Sequence, residues 1–323
     1  MISTGWCILG FAALIAGAEI LISAGTRLAS FLGVPPILIG LTVVSVGTSV
    51  PELAVGIDAA RLGSGSLAVG NIAGTNTFNI LFILGLSALL APLALELRSI
   101  RIDLPMMVAA AAAMQVMAWD GRLTAVEGTL LVVAAVAYTL VIVRSVQSES
   151  RAVVAEFAGA FEQAPPRHPI LDILYQSTLL LGGIAIVVIG ADWLVKGAIE
   201  LARQLHVSEA FIGLTVVAIG TSAPELVTTI VSTIRDQRDI AIGNLLGSSI
   251  YNILFILGAT LMVSPGGIAV EPALIYVDIP VMTAVALVCI PVFMSGARIS
   301  RLEGGVFVAA YIAYFMYLII ART

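Results

Sequence analysis

Charge is scarce in this chain. Only 11% of its 323 residues are Asp, Glu, Lys or Arg, where a soluble domain carries about a quarter. Histidine and cysteine each occur twice, so the chain has neither a Cys/His metal spacing nor a disulfide framework. Cys7 and Cys289 fall in apolar runs and read as small hydrophobes. A net charge of −5 without any basic run excludes nucleic acid as a partner. There is no HExxH, no GxSxG and no aspartate pair at one depth, which leaves an intramembrane hydrolase without a usable set. The opening residues, MISTGWCILG, lack the basic region of a signal peptide, so the first apolar segment reads as a retained helix. What the chain has is apolar surface: 60% of residues are hydrophobic and the mean hydropathy is +1.10. It is expected to be an all-α integral membrane protein, with membrane lipid as its surroundings.

Apolar runs long enough to span a bilayer, about 20 residues each, fall near 6–26, 35–60, 67–91, 102–119 and 124–143. Five more fall near 172–201, 208–233, 239–263, 273–294 and 303–321. Between the two sets lies a polar stretch too short for a soluble domain, with room for one amphipathic helix near 148–163. The expected organisation is a five-helix repeat over 1–145, a linker over 146–169 and a second repeat over 170–323. The halves are copies. GLTVVSVGTSVPEL starts at Gly40 and GLTVVAIGTSAPEL at Gly213; GNIAGTNTFNILFILG starts at Gly70 and GNLLGSSIYNILFILG at Gly243. Both pairs are offset by 173 residues, as are GAE at Gly17 and GAD at Gly190. An odd number of helices per copy inserts the second copy upside down, and inverted repeats of this kind build secondary transporters with an ion site at the midplane. Placing both termini outside puts ten of the fifteen basic residues, Arg27, Arg144 and Arg235 among them, on the cytoplasmic side with the linker.

The duplicated motif carries a carboxylate at membrane depth, which costs roughly 2.5–3.5 kcal/mol on insertion scales. Pro51 lacks an N–H, so the Gly47 carbonyl loses its helical partner and Val50 is expected to leave helical geometry; Pro224 does the same to Gly220 and Ala223. Bare carbonyls at that depth are tolerated only where protein or a polar cavity satisfies them. Ser45, Ser49 and Glu52 share one helical face, with Thr48 beside them, and Asn71, Thr75 and Asn79 form a second polar stripe. The other copy repeats the set with Thr221, Ser222 and Glu225, then Asn244, Ser248 and Asn252. Together these make a cage of two carboxylates, hydroxyls, amides and freed carbonyls, the donor set of a hard cation such as calcium. No histidine or cysteine joins it, which argues against zinc, copper or iron. A charge near −2 suits one divalent ion or a few sodium ions.

Ser, Thr, Asn and Gly in membrane helices often serve packing and interhelical hydrogen bonds alone. Asn71 and Asn244 fit either that role or the site. Glu19 and Asp192 read as buried acids, with Arg27 a candidate partner for Glu19. Asp103 and Asp278, each two residues before a proline, read as helix N-caps. Asp58 has no acidic counterpart, because position 231 is Val. Lys196 and His206 lie near a membrane boundary and are expected to snorkel.

The motifs GTSVPEL…GNIAGTNTFNILFILG and GTSAPEL…GNLLGSSIYNILFILG resemble the two alpha-repeats of the cation/calcium exchanger superfamily, and most of all its prokaryotic sodium/calcium exchanger branch. The match covers residues 17–85 and 190–258 without a gap. The resemblance implies ten helices in two inverted repeats, with broken helices 2, 3, 7 and 8 around a central ion site. It implies that Glu52 and Glu225 bind calcium and also serve sodium, and that Thr48, Ser49, Thr221 and Ser222 give hydroxyls or carbonyls. Ser45 and Ala218 would lend carbonyls, and Thr75, Asn79, Ser248 and Asn252 would complete the cage. Some relatives place an aspartate at the position of Asn252, so a third site carboxylate is absent here. The linker leaves no room for a calcium-sensing domain. The expected function is therefore not enzymatic: a secondary antiporter in the cytoplasmic membrane exchanging calcium for sodium, without a cofactor. Calcium/proton exchange is the alternative.

Overall fold

A computed structural model describes residues 2–97, 99–148, 169–204, 218–264 and 266–322. The first half supplies α1 (Ile2–Leu32), α2 (Pro36–Thr48), α3 (Val50–Arg61), α4 (Gly65–Leu90), α5 (Ser99–Asp120) and α6 (Ala125–Ser148). The second supplies α7 (Pro169–Gln204), α8 (Ala218–Thr221), α9 (Ala223–Ile234), α10 (Arg238–Met262), α11 (Leu274–Met294) and α12 (Arg301–Arg322). Among the described residues, eight helices are long and apolar enough to cross a membrane, and α2 with α3 form a further bent pair. The amphipathic helix expected near 148–163, His206 and the first part of the segment near 208–233 lie outside the described residues.

The apolar run near 35–60 folds as two helices because Pro51 forbids one. α2 and α3 meet at 41°. The break lies one residue earlier than proline's usual effect on its neighbour would place it. Ser49 (φ −85°, ψ 12°) and Ser222 (φ −91°, ψ 7°) leave helical geometry, while Val50 and Ala223 begin the next helix. Turning the serine ψ to near zero swings the preceding turn off the proline ring, so the residue before proline keeps its helical angles. The two prolines then occupy the first turn, where their missing N–H has no partner to lose.

Asp103 and Asp278 are not N-caps. Both have helical angles, and neither makes a capping hydrogen bond. The helix starts a turn earlier in each copy, through π-helical turns at Ser99–Asp103 and Leu274–Asp278. That places the aspartates inside the helix, where Tyr138 of α6 donates to Asp103 (3.0 Å) and Tyr314 of α12 donates to Asp278 (2.6 Å).

The halves interlock reciprocally. After α4, β1 (Leu93–Ala94) pairs antiparallel with β4 (Arg298–Ile299) of the other half. β2 (Arg122–Leu123), after α5, pairs in the same way with β3 (Ile268–Ala269). Gly17 of α1 and Gly183 of α7 each present bare backbone to the other's carbonyl, where an added Cβ would sit 3.0 Å from oxygen. This lets the two longest helices run against each other with Leu14, Leu21, Leu180 and Val187 packed between them. The middle of the molecule belongs to α10 and α4, whose apolar windows are 94% and 78% buried, whereas α12, at 11%, lies on the periphery. Exposed Leu130, Val133 and Val136 on α6, and Ile312, Met316 and Ile320 on α12, form outward apolar stripes at helical spacing. In a membrane protein that outer surface faces lipid.

Candidate functional site

The two breaks bring the start of α3 and the start of α9 to the centre of the bundle, against α4 and α10. Glu52 and Glu225 sit in the first turns of α3 and α9, three residues after the hinge serines, and both are fully buried. Ser-x-x-Glu at a helix start is also the pattern of a capping box, in which serine and glutamate satisfy local backbone. That box does not form: neither Ser49 nor Ser222 makes a side-chain cap. Ser49 Oγ instead donates to Glu225 Oε1 of the other copy at 3.0 Å. The glutamates lie within electrostatic reach of each other.

Around them the expected residues gather. Thr48, Ser49, Ser222, Asn79, Ser248, Asn252 and Ser45 are fully buried, and Thr75 is nearly so. Ser222 Oγ meets Thr75 Oγ1 at 3.4 Å, linking the α9 hinge to α4. Thr48 Oγ1 donates to Asn244 Oδ1 (3.2 Å), and Asn244 Nδ2 donates to Thr229 Oγ1 (3.2 Å). Ser45 turns its hydroxyl back to the Leu41 carbonyl at 2.6 Å. Thr221 lines a cavity described below, and Ala218 opens the short helix α8. π-helical turns begin at Phe78 in α4 and at Asn252 in α10, one residue apart in the matched register; such turns recur at functional sites.

The donor chemistry follows from what these groups leave unsatisfied. Both oxygens of Glu52, Oε2 of Glu225, Oδ1 of Asn79 and of Asn252, and the hydroxyls of Ser248 and Thr228 are buried with no hydrogen-bond partner among the described residues. Each such neutral group costs about 1–3 kcal/mol and a charged one more. Oxygens of this kind, mixed among carboxylate, amide and hydroxyl, are what a hard cation with 6–8 ligands takes. Among the described residues no group of three or more His, Cys, Asp or Glu gathers, so the charge at the centre comes from the two glutamates.

A cavity of about 1250 Å³ reaches Thr75 and Thr221 at the edge of this cluster, and neither glutamate lines it. Thr75, Thr221 and Asn71 line its inner part, and Arg61, Ser66 and Glu271 lie among its lining residues nearer the helix ends. The copies differ here. Asn71 lines the cavity, whereas its counterpart Asn244 is sealed between Thr48 and Thr229.

Several sequence expectations do not hold. Glu19 is paired with Arg235 (2.6 Å), not Arg27, and the glutamate side chain is 39% exposed. Asp192 is 52% exposed and pairs with Lys196 one turn on. Both acids sit on the bundle's surface, because a partner across or along the helix neutralises them there. Three residues were not anticipated. Asn76, between Thr75 and Asn79, bonds Asn252 and lies off the i, i+4 stripe. Thr228 and Thr229 follow Glu225 by one helical turn, a spacing that would have exposed them; their counterparts are Val55 and Gly56, so matching the copies hid them.

The family model described as sodium/calcium exchanger protein matches residues 2–144 and 176–320. The chain belongs to that family. It is 34% identical over 290 residues to the inner membrane protein YrbG of Escherichia coli K12, covering 89% of this chain and 87% of that one. The sodium/calcium exchanger MaX1 of Methanosarcina acetivorans is 30% identical over 340 residues, covering 96% and 97%. A solved structure of the sodium-calcium exchanger NCX_Mj, soaked with sodium and strontium, aligns with a TM-score of 0.81 at 27% identity, over 100% of this chain and 99% of that one. This exchanger-family chain is thus a multi-pass, all-helical membrane protein of a transporter family, and cation exchange is its class of activity.

Proposed function

We propose that the chain is a secondary antiporter that exchanges calcium for sodium across the cytoplasmic membrane by alternating access. The observation that carries the reading is the convergence of buried, unpartnered oxygens on Glu52 and Glu225. Calcium binds Glu52 and Glu225, with Thr48, Ser49, Thr221 and Ser222 as hydroxyl or carbonyl ligands. Thr75, Asn79, Ser248 and Asn252 complete the shell, and Ser45 and Ala218 lend carbonyls. Sodium ions occupy the same oxygens in turn, so the two cargoes exclude each other and one cannot pass without exchange. The cargo ions are the only ligands required; no resident cofactor takes part.

The reading includes ten membrane helices in two inverted repeats, 1–145 and 170–323, joined by a cytoplasmic linker at 146–169, with both termini outside. The reciprocal strand pairs support it, since exchanging the halves maps β1–β4 onto β3–β2. The cavity on one side and the sealed Asn244 on the other suit a transporter that opens to one side at a time.

The test is calcium uptake into proteoliposomes under an imposed sodium gradient. Sodium-driven uptake, with external calcium accelerating calcium efflux, is the expected result; efflux indifferent to external calcium would indicate a channel. Calcium/proton exchange remains a distinct second reading, favoured by one observation: among the described residues no ion pair involves Glu52 or Glu225, and a carboxylate without a cationic partner also accepts protons. A pH jump without sodium separates the two, since only proton exchange moves calcium there.

A further inference from the structure

We infer that Asn76 is a positioning residue that fixes which end of the Asn252 amide faces the ion and, through that, keeps position 252 neutral. The inference rests on the ion-site reading above. Asn76 is 2% exposed and stands on α4, across from α10. Its Nδ2 donates to the backbone carbonyl of Ser249 at 2.9 Å. Its Oδ1 accepts from Nδ2 of Asn252 at 3.1 Å. The two bonds form a directed chain. Because the Asn76 amide is committed to a carbonyl, only its oxygen is offered to Asn252, and an oxygen can hold only a donor. Asn252 must therefore turn its NH₂ to Asn76, which leaves Oδ1 as its buried, unpartnered atom.

The other copy shows what happens without this device. Asn79 occupies the register of Asn252, yet neither its Nδ2 nor its Oδ1 has a partner among the described residues. The residue matching Asn76 there is Ser249, whose hydroxyl is itself unpartnered. A pair of asparagines that looks symmetric in sequence is thus asymmetric in function: one amide is held with its oxygen free, and the other turns to suit its ligand.

The same geometry acts on charge. An ionised aspartate at 252 would set acceptor against acceptor at Asn76 Oδ1. Asn76 could relieve this only by turning its amide, which breaks the bond to Ser249. Asn76 therefore disfavours a third carboxylate and holds the site at the charge of its two glutamates.

The experiment is a double-substitution cycle in proteoliposomes, with Asn76→Ala, Asn252→Asp and both together, each read as sodium-driven calcium flux against calcium concentration. Asn76→Ala is expected to raise the half-saturating calcium about tenfold, the size of one lost buried hydrogen bond, with the maximal rate changed far less. In the double variant the combined loss is expected to be about fivefold smaller than the product of the single losses, because removing Asn76 also removes the clash with aspartate. An unchanged half-saturation in Asn76→Ala, or single effects that simply multiply, would overturn the inference. If Asn76→Ala does not elute as a monodisperse species, Asn76→Ser takes its place, since serine occupies the matching register in the other copy. Glu52→Gln is run alongside. If it is inactive, the site reading stands whatever Asn76 does; if it is active, the site reading and this inference fall together.

Discussion

A carboxylate buried at the centre of a membrane bundle, with both oxygens unpartnered, is costly unless something positive comes to it. Glu52 is that case, and Glu225 nearly so, since Ser49 donates to one of its oxygens and the other is unpartnered among the described residues. Glu52→Gln and Glu225→Gln are each expected to abolish sodium-driven calcium transport while the protein still purifies as a monodisperse species. The amide keeps the shape and removes half of the site's charge where the dielectric is low. Flux assays on the purified variants check this, and normal transport by either would remove the ion site from these residues. Potassium is expected to be dispensable, because two glutamates only just neutralise calcium and Asn252 adds an oxygen without charge. A further uncompensated cation would cost on the order of several kcal/mol. Initial uptake with potassium, or with choline in its place, measures this, and a large loss on removing potassium would count against it. The placing of both glutamates at buried helix breaks was legible in the sequence, because a duplicated acid beside a duplicated proline has no packing purpose. Asn76 was not, because its role depends on which neighbour across the bundle takes its oxygen.

At the scale of the element, the helix breaks and the polar stripes could be read from proline and from i, i+4 spacing. The errors came where a local pattern has two meanings. Aspartate two residues before proline suggests a cap, but the helices begin earlier and the acids reach tyrosines 35 and 36 residues away. No local rule could give those partners. The tyrosines are expected to hold adjacent helices together: Tyr138→Phe should cost about 1.5–3 kcal/mol of stability, the range for a hydrogen bond to a charged group. Tyr314→Phe should cost less, because its contact is only part-buried. Thermal unfolding in detergent reads both, and half-saturating calcium should stay unchanged in each. Equal losses would mean that burial does not set the difference.

At the scale of the molecule, the odd helix count per repeat and the bias of basic residues lead us to expect both termini outside and the linker in the cytoplasm. Single cysteines introduced as Ser148→Cys and Thr323→Cys, in a background lacking Cys7 and Cys289, test this with an impermeant thiol reagent on intact cells. Labelling is expected at 323 and not at 148, and the opposite pattern would invert the topology. The repeat made an all-helical membrane protein of two matching halves readable in the sequence, since copies offset by 173 residues fold into matching elements. It did not make readable that the copies stand in different states, one asparagine lining the cavity and the other sealed, because a sequence match carries no conformation.

Under the proposed function, the absence of a third acid beside Glu52 and Glu225, among the described residues, also sets how the cycle would feel membrane voltage. Moving one elementary charge through 100 mV is worth roughly 2.3 kcal/mol. On the proposed reading, two ionised glutamates and one calcium ion sum to zero, so the loaded site would cross the field as a neutral package. Calcium/calcium counterflow should then run at the same rate at any potential. Whatever electrogenicity the exchanger has must reside in the sodium limb, where each ion beyond the second adds one positive charge. Counterflow and net exchange measured in the same vesicles, under potassium–valinomycin potentials of either sign, would locate it: a flat counterflow beside a sloping net exchange is the expected pair, and a steep counterflow would mean the site carries a charge that its two glutamates do not supply.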